Sequence, residues 1–174
     1  PPIYADYTVC GGLYRPVWLI ETDPVCIDPT RWGGPGVEIA TDADTGRIDV
    51  KTYVSGADAV EYEYAIDGMP VAEPKVDGPK LWSPETPNLY TLKLEVTLRA
   101  CCTDRVEIPF GIRTVEFRPG QGFFLNGKHR QMKGACLHHD FGPLGGAFFK
   151  DAARRQLLLM KEMGADAIRT THNP

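Results

Sequence analysis

Between residues 25 and 117 the sequence repeatedly alternates apolar and polar side chains with period two, and each run stops at a turn signal. Ile48, Val50, Thr52 and Val54 alternate with Arg47, Asp49 and Lys51. Val60, Tyr62, Tyr64 and Ile66 alternate with Glu61, Glu63 and Asp67. Tyr90, Leu92, Leu94, Val96 and Leu98 alternate with Thr91, Lys93, Glu95, Thr97 and Arg99, and Val106, Ile108 and Phe110 with Arg105 and Glu107. Successive side chains of a strand point to opposite faces, so these runs predict strands with one buried and one solvated face, as in antiparallel sheets. Thr45-Gly46, Ser55-Gly56, Asp67-Gly68, Asp77-Gly78-Pro79, Ser83-Pro84 and Thr86-Pro87 punctuate them. Several short strands in one such stretch predict a two-layer sandwich of immunoglobulin-like size. The Cys-Trp-Cys hallmark of antibody domains is missing, so the expectation is for the architecture and not for that family.

The flanks read differently. Residues 1–24 contain one strand-like run around Val17 and Leu19 with no partner of its own, and a lone strand is not a domain. Residues 118–174 predict a hairpin at Asn126-Gly127, a short strand from Met132 to Leu137, a helix from about Phe148 to Met163, and a strand from Ala165 to Thr170. Phe149, Ala153, Gln156, Leu157, Met160 and Met163 mark the helix's expected buried side, with Gly164 placed to cap its end. Strand, helix, strand is a βαβ unit and implies parallel pairing. The expected fold is therefore mostly β: an immunoglobulin-like β-sandwich followed by the first βαβ portion of a barrel. A complete eight-stranded α/β barrel takes roughly 200 residues or more, beyond a chain of 174.

Composition excludes several classes. Hydrophobic residues make up 43%, enough for a core, and a net charge of −4 without a basic cluster argues against nucleic acid as partner. No apolar run reaches the roughly 20 residues of a membrane helix. The five cysteines (Cys10, Cys26, Cys101, Cys102, Cys136) are odd in number and include no Cys-x-x-Cys pair, so they read as buried or half-buried free thiols.

The two strands of the βαβ unit each deliver histidine at their C-terminal ends. The first gives His138, His139 and Asp140; the second gives Arg169, Thr171, His172 and Asn173. Ligands of parallel α/β sheets bind outside the carboxyl ends of the strands. Such groups can grip sugar hydroxyls or an anion. Two histidines without a third ligand make a poor metal site, and no Ser-His-Asp arrangement, phosphate loop or dinucleotide motif is present.

Four blocks in order carry a family resemblance: Phe110-Gly-Ile-Arg-Thr-Val-Glu-Phe117, Gly122-Phe-Phe-Leu-Asn-Gly-Lys128, Lys133-Gly-Ala-Cys-Leu-His-His-Asp140 and Met160-Lys-Glu-Met-Gly-Ala-Asp-Ala-Ile-Arg-Thr-Thr-His-Asn-Pro174. Together they resemble glycoside hydrolase family 2, the family of β-galactosidases, β-glucuronidases and β-mannosidases. Gly11-Gly-Leu-Tyr-Arg-Pro-Val-Trp-Leu19 and Leu81-Trp-Ser-Pro-Glu-Thr-Pro-Asn-Leu-Tyr90 resemble further segments of it. The resemblance implies that residues 1–24 end an N-terminal sugar-binding jelly roll, 25–117 form the immunoglobulin-like sandwich, and 118–174 open the catalytic (β/α)8 TIM barrel. It implies substrate-binding roles for His138, Arg169 and His172. Asp166 stands where the family usually has Asn, and His129 where a Pro or similar residue is frequent.

The same resemblance implies a retaining β-glycosidase, β-galactosidase-like, acting on a β-linked sugar or oligosaccharide. It places the acid/base and nucleophile glutamates on later barrel strands, past Pro174. The chain alone is then expected to be inactive, to need no cofactor, and to hold none of the ligands of a divalent cation used by the parent. Open strand edges of such a piece would favour self-association into a homo-oligomer. The competing expectation is a non-catalytic immunoglobulin-like module that binds carbohydrate or spaces domains, with Trp18, Trp32 and Trp82 as candidate stacking residues.

Overall fold

The computed structural model describes residues 12, 13, 15–138 and 141–170, without the side chain of Trp32. It is mostly β and divides into two compact units, Ile20–Arg130 and a second drawn from Pro1–Leu19 and Gln131–Pro174.

In the first unit the strands are β1 (Cys26–Ile27), β2 (Val37–Thr41), β3 (Ile48–Thr52), β4 (Val54–Ser55), β5 (Glu61–Ile66), β6 (Met69–Val71), β7 (Tyr90–Leu98), β8 (Cys101–Phe110), β9 (Val115–Arg118), β10 (Gly122–Leu125) and β11 (Lys128–His129). One antiparallel sheet has the order β6-β5-β7-β8. Its central strand β7 shows why the alternation was legible. Leu92, Leu94 and Val96 are fully buried, while Lys93 and Glu95 between them face the other way and pair at 2.7 Å. Burying one such aliphatic side chain is worth about 1.5–3 kcal/mol. Strands β2 and β3 supply the opposing layer: Ile48, with Ile39 and Val50, packs into one cluster with Ile66, Leu92, Phe110 and Ile112. Ile27, Val37 and Val54 pack with Leu94 and Val96 in a second cluster.

Strands β1 and β2 lie along one edge of β3–β4, because Tyr53 between these two strands accepts from the Asp28 N–H at 2.9 Å and donates to the Gly36 carbonyl at 2.7 Å. The layers are also tied through a bulge. Pairing shifts register after Val96, leaving Thr103 as the extra residue, and the neighbouring Asp104 carboxylate accepts the backbone N–H of Ile27 at 2.8 Å.

Two features of the described residues differ from the sequence expectation. The β7–β8 hairpin turns at Arg99 and Ala100, with φ of 51° and 63°, a left-handed pair without glycine or asparagine to announce it. Residues 15–20 form no strand among the described residues, and Val17, Trp18, Leu19 and Ile20 are all exposed. An extended apolar run becomes a strand only when another strand takes its hydrogen bonds.

Strands β9, β10 and β11 form an antiparallel meander in the order β11-β10-β9, closed by the expected Asn126-Gly127 turn with φ of 50° and 72°. Asn126 ties this meander to the preceding strands. Its side-chain oxygen accepts from the Thr114 N–H, and its amide donates to the Trp82 carbonyl, both at 3.0 Å. Trp82 is a packing residue: it is half-buried, faces the Arg113 guanidinium 4.6 Å from its ring, and sits where a Cβ on Gly111 would come within 2.9 Å.

The second unit holds β12 (Gly134–Leu137), α1 (Lys150–Glu162) and β13 (Ala167–Thr170), with β12 and β13 parallel as the βαβ reading requires. The helix ends in a Schellman motif: Gly164, at φ 88°, donates to Lys161, and Ala165 donates to Met160. Ala153, Gln156 and Met160 are half-buried as expected, whereas Phe149, Leu157 and Met163 are exposed. Leu157, Leu158 and Leu159 are consecutive, so their side chains fan over about 200° of the helix and no single contact stripe can cover all three. Among the described residues, no helix is long and apolar enough to cross a membrane.

Of the cysteines, Cys26 is buried as expected. Cys101, Cys102 and Cys136 are exposed instead, because the first two follow directly on the hairpin turn and the third lies on the open face of a two-stranded sheet. Cys10 lies outside the described residues.

Candidate functional site

The candidate site is built on the β12–β13 pair, and its geometry begins at the opposite end of those strands. Gly134 faces Ala167 across the pair, where a Cβ would lie 2.6 Å from the Ala167 carbonyl oxygen. Only a glycine allows that approach. Asp166 locks the same end: its carboxylate accepts the Lys133 N–H at 2.8 Å, while the Lys133 carbonyl accepts from the N–H groups of Asp166 and Ala167 at 2.9 and 3.1 Å. These contacts fix the register downstream.

That register sets Cys136 beside Arg169 and Leu137 beside Thr170. The carboxyl ends of the two strands therefore lie side by side, and Arg169 stands one residue from the end of β13. His138 follows Leu137 directly and is half-buried. It is two residues on from Cys136, just past the end of β12. Arg169 is exposed, and one of its guanidinium nitrogens, Nη1, lies 3.9 Å from the Cys136 sulfur, a weak N–H···S contact.

The structure thus brings His138 and Arg169 to one end of one strand pair. His172, the third expected sugar contact, lies outside the described residues, as do His139, Asp140, Thr171 and Asn173. Cys136 was not singled out for this site by the sequence. The signal is present only once strand register is known, since Cys136 and Arg169 are 33 residues apart.

Chemically, the site offers a permanently charged guanidinium with several donors and an imidazole that can donate or accept. This is a set for gripping hydroxyl or carboxylate oxygens. No group of three or more His, Cys, Asp or Glu able to hold a metal ion occurs among the described residues.

Two carboxylates of the first unit are held by basic partners. Glu95 pairs with Lys93, and hydrogen bonding within the pair lowers the glutamate pKa and raises that of the lysine. Glu85 pairs with Arg130 at 2.7 Å, and that hydrogen bond holds its carboxyl at about 2. His129 is exposed, with its ring edge-on to Phe124, consistent with a surface role.

Comparison with known proteins gives a consistent answer. The model of Glycosyl hydrolases family 2 matches residues 37–113. A β-galactosidase of Bacteroides ovatus is 35% identical over 97% of this chain, which spans 22% of that protein. A β-glucuronidase of Bacteroides fragilis is 28% identical over 99% of the chain, spanning 29% of its own length. The crystal structure of a Bacteroides uniformis β-glucuronidase superposes with a TM-score of 0.80 at 32% identity, over 99% of this chain and 24% of that one. The chain therefore spans between a fifth and a third of these relatives, and the three proteins match nearly all of it, whereas the family model ends at residue 113, before β12. On this evidence of sequence and structure together, the chain belongs to glycosyl hydrolases family 2.

Proposed function

We propose that this chain is the sugar-gripping part of a retaining β-glycosidase, with β-galactosides as its first substrates. The observation that carries this reading is the parallel register of β12 and β13. It sets Arg169 and His138 at one carboxyl end, where barrel enzymes bind substrate. Residues 25–117 then serve as the immunoglobulin-like sandwich, and 118–174 as the opening of a (β/α)8 barrel. Family membership supports both assignments.

In this reading Arg169 and His138 hold hydroxyls of the nonreducing sugar, joined by His172. Retaining hydrolysis needs two carboxyl groups about 5–5.5 Å apart, one attacking the anomeric carbon while the other protonates the leaving oxygen. We assign both glutamates to sequence outside these 174 residues. Glu85 and Glu95 are each committed to a basic partner, and Glu162 ends α1 just ahead of the N-terminal end of β13, opposite the carboxyl end that carries Arg169.

The test is a substrate panel on the whole protein that carries this chain. It should hydrolyse a chromogenic β-D-galactoside faster than the β-D-glucuronide or β-D-mannoside. The 174-residue chain by itself should turn over none of them. Preference for the glucuronide would overturn the galactoside assignment, and turnover by the isolated chain would overturn the division of labour.

A further inference from the structure

We propose that Cys136 is a positioning residue for Arg169, its sulfur steering the guanidinium at the carboxyl end of the strand pair. The role in catalysis rests on the glycosidase reading above; the contact itself stands on the geometry of the chain. Cys136 and Arg169 are register partners on adjacent parallel strands, so their side chains leave the sheet on the same face. Gly134 and Asp166 fix that register, because a slip of one residue would break the Lys133–Asp166 hydrogen bonds and turn Cys136 to the other face.

Arginine carries five N–H donors on a long, mobile stem, and holding that stem still costs conformational entropy. A soft acceptor 3.9 Å from Nη1 occupies one nitrogen and biases the rotamer while leaving the others for a ligand. A carboxylate in the same place would take the guanidinium by a bidentate bond and compete with the substrate. Sulfur orients without competing. His138, two residues further on, stands just past the same carboxyl end of β12.

Charge-selective alkylation tests the contact on the chain itself. The Cys136 sulfur attacks the methylene carbon of iodoacetamide or iodoacetate; a C–S bond forms, iodide leaves, and the thiol proton passes to buffer. With the guanidinium beside it, Cys136 should favour the anionic reagent. Arg169→Gln should lower the iodoacetate-to-iodoacetamide rate ratio at Cys136 by about fivefold. The ratios at exposed Cys101 and Cys102, read from the same digests by mass spectrometry, should stay unchanged. An unchanged ratio at Cys136 would overturn the contact.

The functional half is read on the whole protein. Cys136→Ala should raise KM for the chromogenic β-galactoside about fivefold while moving kcat less, and Cys136→Ser, whose hydroxyl also accepts from the guanidinium, should restore most of it. If Arg169→Ala impairs turnover and Cys136→Ala does not, the positioning role is wrong and the glycosidase reading stands. If the protein hydrolyses no β-glycoside, both fall.

Discussion

Arg99 and Ala100 turn the β7–β8 hairpin with both backbones in the left-handed region, where a side chain bearing Cβ costs about 1–2 kcal/mol. The adjacent strands pay for that through Leu94 and Val96, which are wholly buried. Arg99→Asn combined with Ala100→Gly should relieve the turn and stabilise the fold by about 1–2 kcal/mol, seen as a higher urea midpoint at unchanged slope. Glu85 gives a pH-dependent counterpart. Its carboxyl is held at about 2 instead of 4.5, chiefly by the hydrogen bond from Arg130. A depressed folded-state pKa means the stabilisation is complete above the unfolded value and fades as pH falls from 4.5 towards 2. Glu85→Gln should therefore flatten that limb of the thermal-melting profile between these two values. An acid limb of unchanged depth in the variant would show that the Arg130 pair contributes nothing.

At the scale of elements, what the sequence made readable was whatever each element decides for itself. Strand β7 follows from its own period of two, and the Asn126-Gly127 hairpin and the Gly164 cap from residues that tolerate positive φ. What depends on a second element was not readable. The run from Val17 to Ile20 has strand composition but no strand, and the Arg99-Ala100 turn bears no turn residue. Leu157 and Met163 carry a helical apolar period yet are exposed. In the candidate site, His138 and Arg169 followed from position at strand ends, whereas the Cys136–Arg169 contact needed the register. That register hangs on Gly134. Gly134→Ala would drive a Cβ to within 2.6 Å of the Ala167 oxygen, so the strands must part. We expect a loss of about 1–3 kcal/mol. Faster amide exchange should appear in 134–137 and 167–170, with β7 and β8 unaffected.

At the scale of the molecule, the two compact units carry different kinds of order. The unit of residues 20–130 closes its own core, with Leu92, Leu94, Val96 and Ile112 inaccessible to solvent. In the other unit the described helix has no buried residue, and the β12–β13 pair presents the candidate sugar contacts. The self-contained core thus lies in the β scaffold, and the proposed sugar contacts lie at the carboxyl end of the β12–β13 pair. The central claim is that this end holds the sugar of a β-glycoside. Its most direct test is kcat/KM of the whole protein for a chromogenic β-galactoside, compared with Arg169→Ala and His138→Ala. Hydrogen bonds to a charged group are worth about 1.5–3 kcal/mol, so Arg169→Ala should cost roughly 10- to 100-fold, with His138→Ala towards the lower end. Wild-type kcat/KM in both variants, with the fold intact, would contradict the account.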